Sequence, residues 1–462
     1  MGVSVIISKF EGLTVQKMNA SSKCIWAVSA IMALTAFVSI PSLAQNFPSK
    51  WYFGKPYTEQ FAATWESEGY AAATVAGAGV MTAVDAQGNP LKDVSVFKGR
   101  PAIETAQAGD CFMFDVPADK VEAGSFISFD ATMSADPGAP MCWAVEWNDG
   151  GKWVKGREYL FHGPAIGKNY RYTSIHQVFR LDNPIEDGSI KVRIRALEGK
   201  LVADVEGVKR SGRVMLVTST FIGAYVHNYG PEPPKDTTRV LCIGNSFTYY
   251  HSCPAMLKEI AWTEGHYLDM SASVKGGWSM NDHRTYEITL DLVKEGGYDV
   301  VFLQNQSQGP AKVGQDRKAN ASLVDDVVAV AEMVRSTSPD CRTVVECTWA
   351  YPGKSFGGFG TVAAFDKYAV KGTKIMAKAI GKAEISPISK AFKLSREERP
   401  DILLYSPDGY HQSPYGSYLK SCVNYLLLFG KPFGENTSDC GLEKDRAAAL
   451  RNIAEIIVLN KK

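Results

Sequence analysis

Hydrophobic and polar positions divide the chain into two textures that meet at Tyr229-Gly230-Pro231-Glu232-Pro233-Pro234-Lys235. Three prolines in four residues can neither continue a helix nor pair as a central strand, so the spacing predicts a linker over 231–238. Before it, residues 45–230 read mostly as β. FISFDATMS (126–134), CWAVEWND (142–149), SIHQVFRLD (174–182) and SIKVRIRAL (189–197) alternate apolar and polar positions or carry β-branched and aromatic runs. Asp136-Pro137-Gly138, Asp149-Gly150-Gly151 and Glu186-Asp187-Gly188 punctuate them, which predicts an N-terminal β-sandwich domain. After the linker, compact apolar runs at 239–244, 299–304, 343–351 and 383–389 alternate with helical patterns. The helical patterns fall near 254–264, 284–295, 319–337, 363–380, 415–429 and 442–459. This predicts a doubly wound α/β domain over 239–462, whose ligands sit outside the carboxyl ends of the strands.

The N-terminus changes the compartment. Residues 24–41 form an apolar run after Lys23, and Ser42-Leu43-Ala44 closes it with small residues. This predicts an export signal over 1–44, cleaved after Ala44, rather than a membrane anchor, with Met1 or Met18 as the start. The expected location is periplasmic or extracellular, with no membrane span after cleavage. Of the nine cysteines Cys24 leaves with the signal, and export permits disulfides. Cys111 with Cys142, and Cys422 with Cys440, are candidate pairs, although spacing alone leaves connectivity open.

Composition narrows the chemistry. The 462 residues carry 50 Lys+Arg and 49 Asp+Glu, and removing 1–44 moves the net charge from +1 to −1. No basic excess is left to neutralise phosphates, so nucleic acid is not an expected partner. No CxxC or His/Cys cluster has metal-ligand spacing, and no GxxxxGK[ST] occurs. No pair of carboxylates announces glycoside hydrolysis.

Two motifs stand at predicted strand ends. Val240-Leu241-Cys242-Ile243-Gly244-Asn245-Ser246 runs from a buried strand into a serine, which reads either as a helix cap or as an exposed nucleophile. Ser406-Pro407-Asp408-Gly409-Tyr410-His411 follows the run 402–405. An Asp and a His three residues apart across a glycine turn read as an Asx-turn, or as a carboxylate that orients an imidazole for a serine. Of the seven histidines, His162, His176 and His227 fall in the β region, and His251 and His266 flank the first helix of the α/β region. His283 follows Gly276-Gly277 and is a candidate to line the cleft; His411 alone has an Asp at a useful spacing.

Over roughly 239–435 these motifs resemble the SGNH/GDSL hydrolase superfamily, in a bacterial branch with a GNSF nucleophile block. The likeness extends to Gly276-Gly277-Trp278-Ser279, Leu303-Gln304-Asn305-Gln306-Ser307, Thr348-Trp349-Ala350-Tyr351, and to Ser413 and Gly416 after the Asp-x-x-His. The resemblance implies a flavodoxin-like three-layer α/β/α fold and a serine esterase that needs no cofactor. It casts Ser246 as nucleophile, His411 as base and Asp408 as its orienting carboxylate. It also implies an oxyanion hole from the backbone of Ser246 and Gly277 plus a side-chain amide. The usual Gly-x-Asn-Asp block is absent; Gln304 is favoured for the amide, Asn305 and Gln306 remain alternatives, and Asn245 is a further cleft candidate. The expected substrate is an O-acyl, chiefly O-acetyl, ester on a poly- or oligosaccharide, with Trp143, Trp147 and Trp153 as stacking candidates. A lipase or thioesterase, or an inactive glycan-binding protein on the same scaffold, are the alternatives.

Overall fold

The computed structural model describes residues 49–52, 72–73, 79–97, 100–118, 120–161, 171–186, 188–202, 212–216, 223–228, 230–231, 237–351 and 358–460. The predicted export signal, most of the proline-rich linker and His162 lie outside these residues.

The C-terminal half is built on five parallel strands. β1 (Thr237–Gly244), β2 (Tyr267–Val274), β3 (Val300–Leu303), β4 (Arg342–Glu346) and β5 (Ala383–Ser386) stand in the order β2-β1-β3-β4-β5. That is a doubly wound order, whose direction of growth reverses between β1 and β3. Strand alternation explains why both faces need cover. Val240 and Cys242 on β1 face one apolar cluster, and Leu241 and Ile243 face another.

Among the described residues ten helices supply the cover: α1 (Ser246–Tyr249), α2 (Cys253–Thr263), α3 (Met280–His283), α4 (Glu287–Glu295), α5 (Gly309–Gln315), α6 (Ala321–Thr337), α7 (Val362–Ile380), α8 (Ile388–Glu398), α9 (Pro414–Phe429) and α10 (Lys444–Leu459). The first cluster is filled from α2, α8, α9 and α10, and the second from α4, α6 and the end of α7. Among the described residues no helix is long and apolar enough to cross a membrane.

In this half the structure adds β2, α1, α3, α5 and α8 to the elements expected from pattern. It also ends two strands early. The run 343–351 leaves the sheet after Glu346, because its partner β5 is only four residues long. In 383–389, Pro387 stops β5 and caps α8.

The N-terminal half holds two antiparallel sheets. Phe126–Ala135 is central to a seven-stranded one, pairing with Arg171–Arg180 on one side and with Gly212–Leu216 and Gly223–Asn228 on the other. Cys111–Ala118, Gly188–Ala196 and Cys142–Asp149 are neighbours in a six-stranded one. Ile127, Phe129 and Met133 from the first sheet share one apolar cluster with Phe112, Phe114, Val145 and Val192 from the second. All four strands expected in this region are present.

Two expectations are corrected here. Cys111, Cys142, Cys242, Cys253, Cys341, Cys347, Cys422 and Cys440 are all free thiols. The strands of Cys111 and Cys142 flank Gly188–Ala196, two strand spacings of about 4.8 Å apart and beyond the reach of a disulfide. The Cys440 thiol instead points to the Met256 carbonyl. The tryptophans are also occupied. Trp143 is fully buried with its indole N–H on the Pro140 carbonyl, and Trp147 stacks on Phe179 at 4.4 Å. Trp153 lies under the Arg193 guanidinium, 4.0 Å from the ring centre.

Candidate active site

The end of β1 turns sharply into α1, and this turn presents Ser246. Asn245 is the N-cap: its Oδ1 accepts from the Phe247 N–H at 3.1 Å, and its Nδ2 donates to the Trp278 carbonyl at 2.8 Å. The capping role therefore falls to Asn245, which leaves the Ser246 hydroxyl for another partner. That partner is His411, whose Nε2 lies 2.7 Å from Ser246 Oγ. His411 Nδ1 in turn lies 2.6 Å from Asp408 Oδ2. The other carboxylate oxygen accepts from the Tyr410 and His411 N–H groups at 3.0 Å each. The Asx-turn and the imidazole-orienting contact thus coexist, one on each oxygen of Asp408.

The rings around His411 hold it in place. Tyr250 stacks on it at 3.9 Å with planes 6° apart, Tyr410 lies over it at 4.1 Å, and Phe247 meets it edge-on at 5.7 Å. Phe247 itself stacks on Trp349 at 4.2 Å, whose indole N–H donates to the Tyr410 carbonyl. Burial pushes the His411 imidazolium below its usual range, and the Asp408 carboxylate only partly opposes this. The ring is neutral near pH 7, with a base nitrogen directed at the serine. Burial also works against the charge on Asp408, but hydrogen bonds from the His411 ring and from the Tyr410 and His411 backbone outweigh it. Its carboxyl is held below the ordinary value.

Loop 275–279 lies beside this turn. The Lys275 N–H donates to the Gly244 carbonyl, and a Cβ at Gly276 would stand 2.9 Å from Tyr249 Oη. Gly277 is exposed and has φ +79°, a left-handed conformation that favours glycine.

Four expected site residues have other occupations. Gln304 is buried, and its Oε1 accepts from the Asn245 N–H at 2.9 Å and from Thr248 Oγ1 at 3.1 Å. Its Nε2 donates to the Asn305 carbonyl. An amide expected to face the oxyanion instead ties β3 to the serine turn. Asn305 Oδ1 accepts from the Gln306 N–H, and Gln306 Oε1 accepts from the Gln308 N–H. His283 does not line the cleft. It is fully buried, with Nε2 2.9 Å from the Gly244 carbonyl and Nδ1 3.0 Å from Thr289 Oγ1. Burial pushes its pKa down to about 4, so it is a neutral prop beneath the turn.

Pattern reading missed Tyr250 and the neighbouring His251. His251 Nε2 lies 3.3 Å from Ser406 Oγ, at the start of the Asp-x-x-His turn. Their position directly after the serine motif was the available signal. Among the described residues, no group of three or more His, Cys, Asp or Glu side chains could hold a metal ion.

Neither a family model nor a curated protein matches the chain. Solved structures do. A DUF4886 family protein from Bacteroides uniformis is 20% identical, with 49% of this chain and 97% of that one covered and a TM-score of 0.41. A candidate SGNH hydrolase from Slackia heliotrinireducens is 23% identical over 42% of this chain and all of that one, with a TM-score of 0.34. An acetylxylan esterase from Geobacillus stearothermophilus is 15% identical over 43% and 97%, with a TM-score of 0.32. The superfamily that the sequence motifs resemble, the SGNH/GDSL hydrolases, is represented among the solved structures similar to this chain.

Proposed function

We propose that the protein is an exported serine esterase that removes O-acyl groups, chiefly O-acetyl, from carbohydrates. The observation that carries this reading is the chain Ser246 Oγ, His411 Nε2, His411 Nδ1, Asp408 Oδ2, with contacts of 2.7 and 2.6 Å. Ser246 attacks the acyl carbon while His411 takes its proton and Asp408 stabilises the imidazolium. His411 then protonates the departing sugar oxygen. Water, deprotonated by the same ring, releases the acyl group and restores the serine. The N–H groups of Ser246 and Gly277 are the oxyanion donors in this scheme.

The carbohydrate reading is supported by an aromatic side chain beside the triad. Tyr410 is 40% exposed and its ring lies over His411. Flat rings of this kind suit the apolar faces of sugars. In this reading residues 1–44 are the export signal, 45–230 a β-sandwich accessory domain, 231–238 the linker and 239–462 the hydrolase domain.

The test is acetate release. Wild-type protein is expected to hydrolyse an activated acetyl ester and acetylated glycans, and Ser246→Ala to lose about 10³-fold or more in kcat. A Ser246→Ala protein as active as wild type would sink the assignment.

A further inference from the structure

The carbonyl of Phe247, one residue after Ser246, is a junction. α1 closes with the Tyr250 N–H on the Ser246 carbonyl, and the Phe247 carbonyl takes side-chain donors instead. Lys420 Nζ on α9 donates to it at 2.8 Å, and Gln412 Nε2 donates to it at 3.1 Å. Gln412 is the residue after His411. One backbone oxygen therefore joins the serine turn, the histidine turn and α9.

Lys420 does not reach this oxygen freely. Its ammonium also donates to Glu346 Oε2 at 2.6 Å, at the end of β4. Asn424 Nδ2 holds the other oxygen of Glu346 at 2.8 Å, and Ser386 Oγ at the end of β5 donates to Asn424 Oδ1 at 2.6 Å. Lys420 is 1% exposed, Glu346 2% and Gln412 0%. Removing both charges from water is costly, and apolar side chains of similar volume often serve stability as well or better. What apolar side chains cannot do is fix the direction of a carbonyl.

We infer that Lys420, oriented by Glu346, is a positioning residue that sets the Ser246–His411 geometry through the Phe247 carbonyl, with Gln412 acting on the same oxygen from the histidine side. This role rests on the esterase reading. It goes beyond that reading because it assigns function to a buried pair that touches neither substrate nor the reacting atoms. Its physical basis is preorganisation: a misplacement of about 1 Å at a nucleophile costs on the order of 10²-fold in rate.

The test compares full-length wild type with Lys420→Met/Glu346→Met, which replaces the pair by apolar groups, and with Gln412→Met. Readouts are thermal unfolding, kcat and KM on an activated acetyl ester, and the rate of Ser246 labelling by a small fluorophosphonate. The double variant is expected to fold, to keep KM, and to lose about 10²-fold in both kcat and labelling rate. Because both donors act on one oxygen, the costs of Gln412→Met and of the double change should not simply add when combined. A folded double variant with wild-type kcat and labelling rate overturns the role. Should that variant not fold, Glu346→Gln carries the test: kcat falling at constant KM supports the role, and unchanged kcat overturns it. Wild-type protein inert to both ester and fluorophosphonate would sink the esterase reading and this role with it. An active wild type with an equally active variant sinks the role alone.

Discussion

His411 illustrates how single residues were legible. Its Asp partner three residues earlier is a local signal, and the turn that joins them is written in Asp408-Gly409-Tyr410. The structure adds the environment. Because burial lowers the His411 pKa, the proposed base stays unprotonated to a lower pH than an ordinary histidine does. The acid limb of kcat/KM is therefore expected below the ordinary histidine value of 6.5. Activity is flat above that limb and falls as pH drops through it. Asp408→Asn removes the one influence that raises the His411 pKa, so the limb of the residual activity should move further down. The rate itself should fall by as much as about 10⁴-fold. A pH profile of both proteins checks the two effects, and an acid limb above 6.5 in wild type would contradict the placement. Gln304 and His283 were not legible in the same way. Their residue types suit an oxyanion donor and a cleft lining, but the direction of a side chain follows from packing, which turns both towards the backbone of the serine turn.

At the scale of elements, apolar periodicity located most of the long helices and, among the described residues, four of the five parallel strands. α5 escaped it because Gly309-Pro310-Ala311-Lys312-Val313-Gly314-Gln315 is poor helix sequence, with two glycines and a proline in seven residues. The reason for its composition lies 58 positions away. α5 crosses α7 so closely that a Cβ at Gly314 would collide with the Tyr368 carbonyl, and one at Gly372 with the Pro310 carbonyl. The obstacle on each side is backbone, which cannot swing aside. Gly372→Ala is expected to destabilise the protein by at least about 1–3 kcal/mol, read from denaturant unfolding. Since α5 continues the loop from Gln304 to Gln308, kcat should fall as well. Unchanged stability would mean that the helices can separate at no cost.

For the whole molecule, the two halves are joined by buried polar contacts rather than by the linker alone. Lys258 Nζ on α2 bonds Asp130 Oδ2 and Ser128 Oγ of strand Phe126–Ala135 at 3.0 Å each, with Lys258 and Asp130 both almost fully buried. Strand Arg171–Arg180 lies against β2, the open edge of the parallel sheet. Arg157 also pairs with Glu295 at 3.3 Å, but its exposure limits what that contact contributes. Asp130→Leu takes a carboxylate away from the buried Lys258 ammonium and is expected to cost about 3–5 kcal/mol. Adding Lys258→Met should recover most of that loss. Thermal unfolding of the two variants checks it, and equal melting temperatures for Asp130→Leu and wild type would refute it. Removing residues 45–230 should on the same grounds leave an unstable remainder, not an active small enzyme.

The sequence by itself determined what is local: strand and helix periods, the strand-end serine, the Asp-x-x-His turn and the change of texture at the proline cluster. Each is a relation between residues a few positions apart, and backbone geometry alone gives it meaning. Only the tertiary structure decided relations between distant residues. Phe126–Ala135 shows the difference. Its alternation of apolar and polar positions was read as a strand, and such a pattern ordinarily leaves the polar face to water. Here Ser128, Asp130, Thr132 and Ser134 are buried too, and α2 brings Lys258 to Ser128 and Asp130. The same holds for Lys420 on Phe247, 173 positions apart. A polar side chain records that it needs a partner, but its identity is settled by which elements fold against one another.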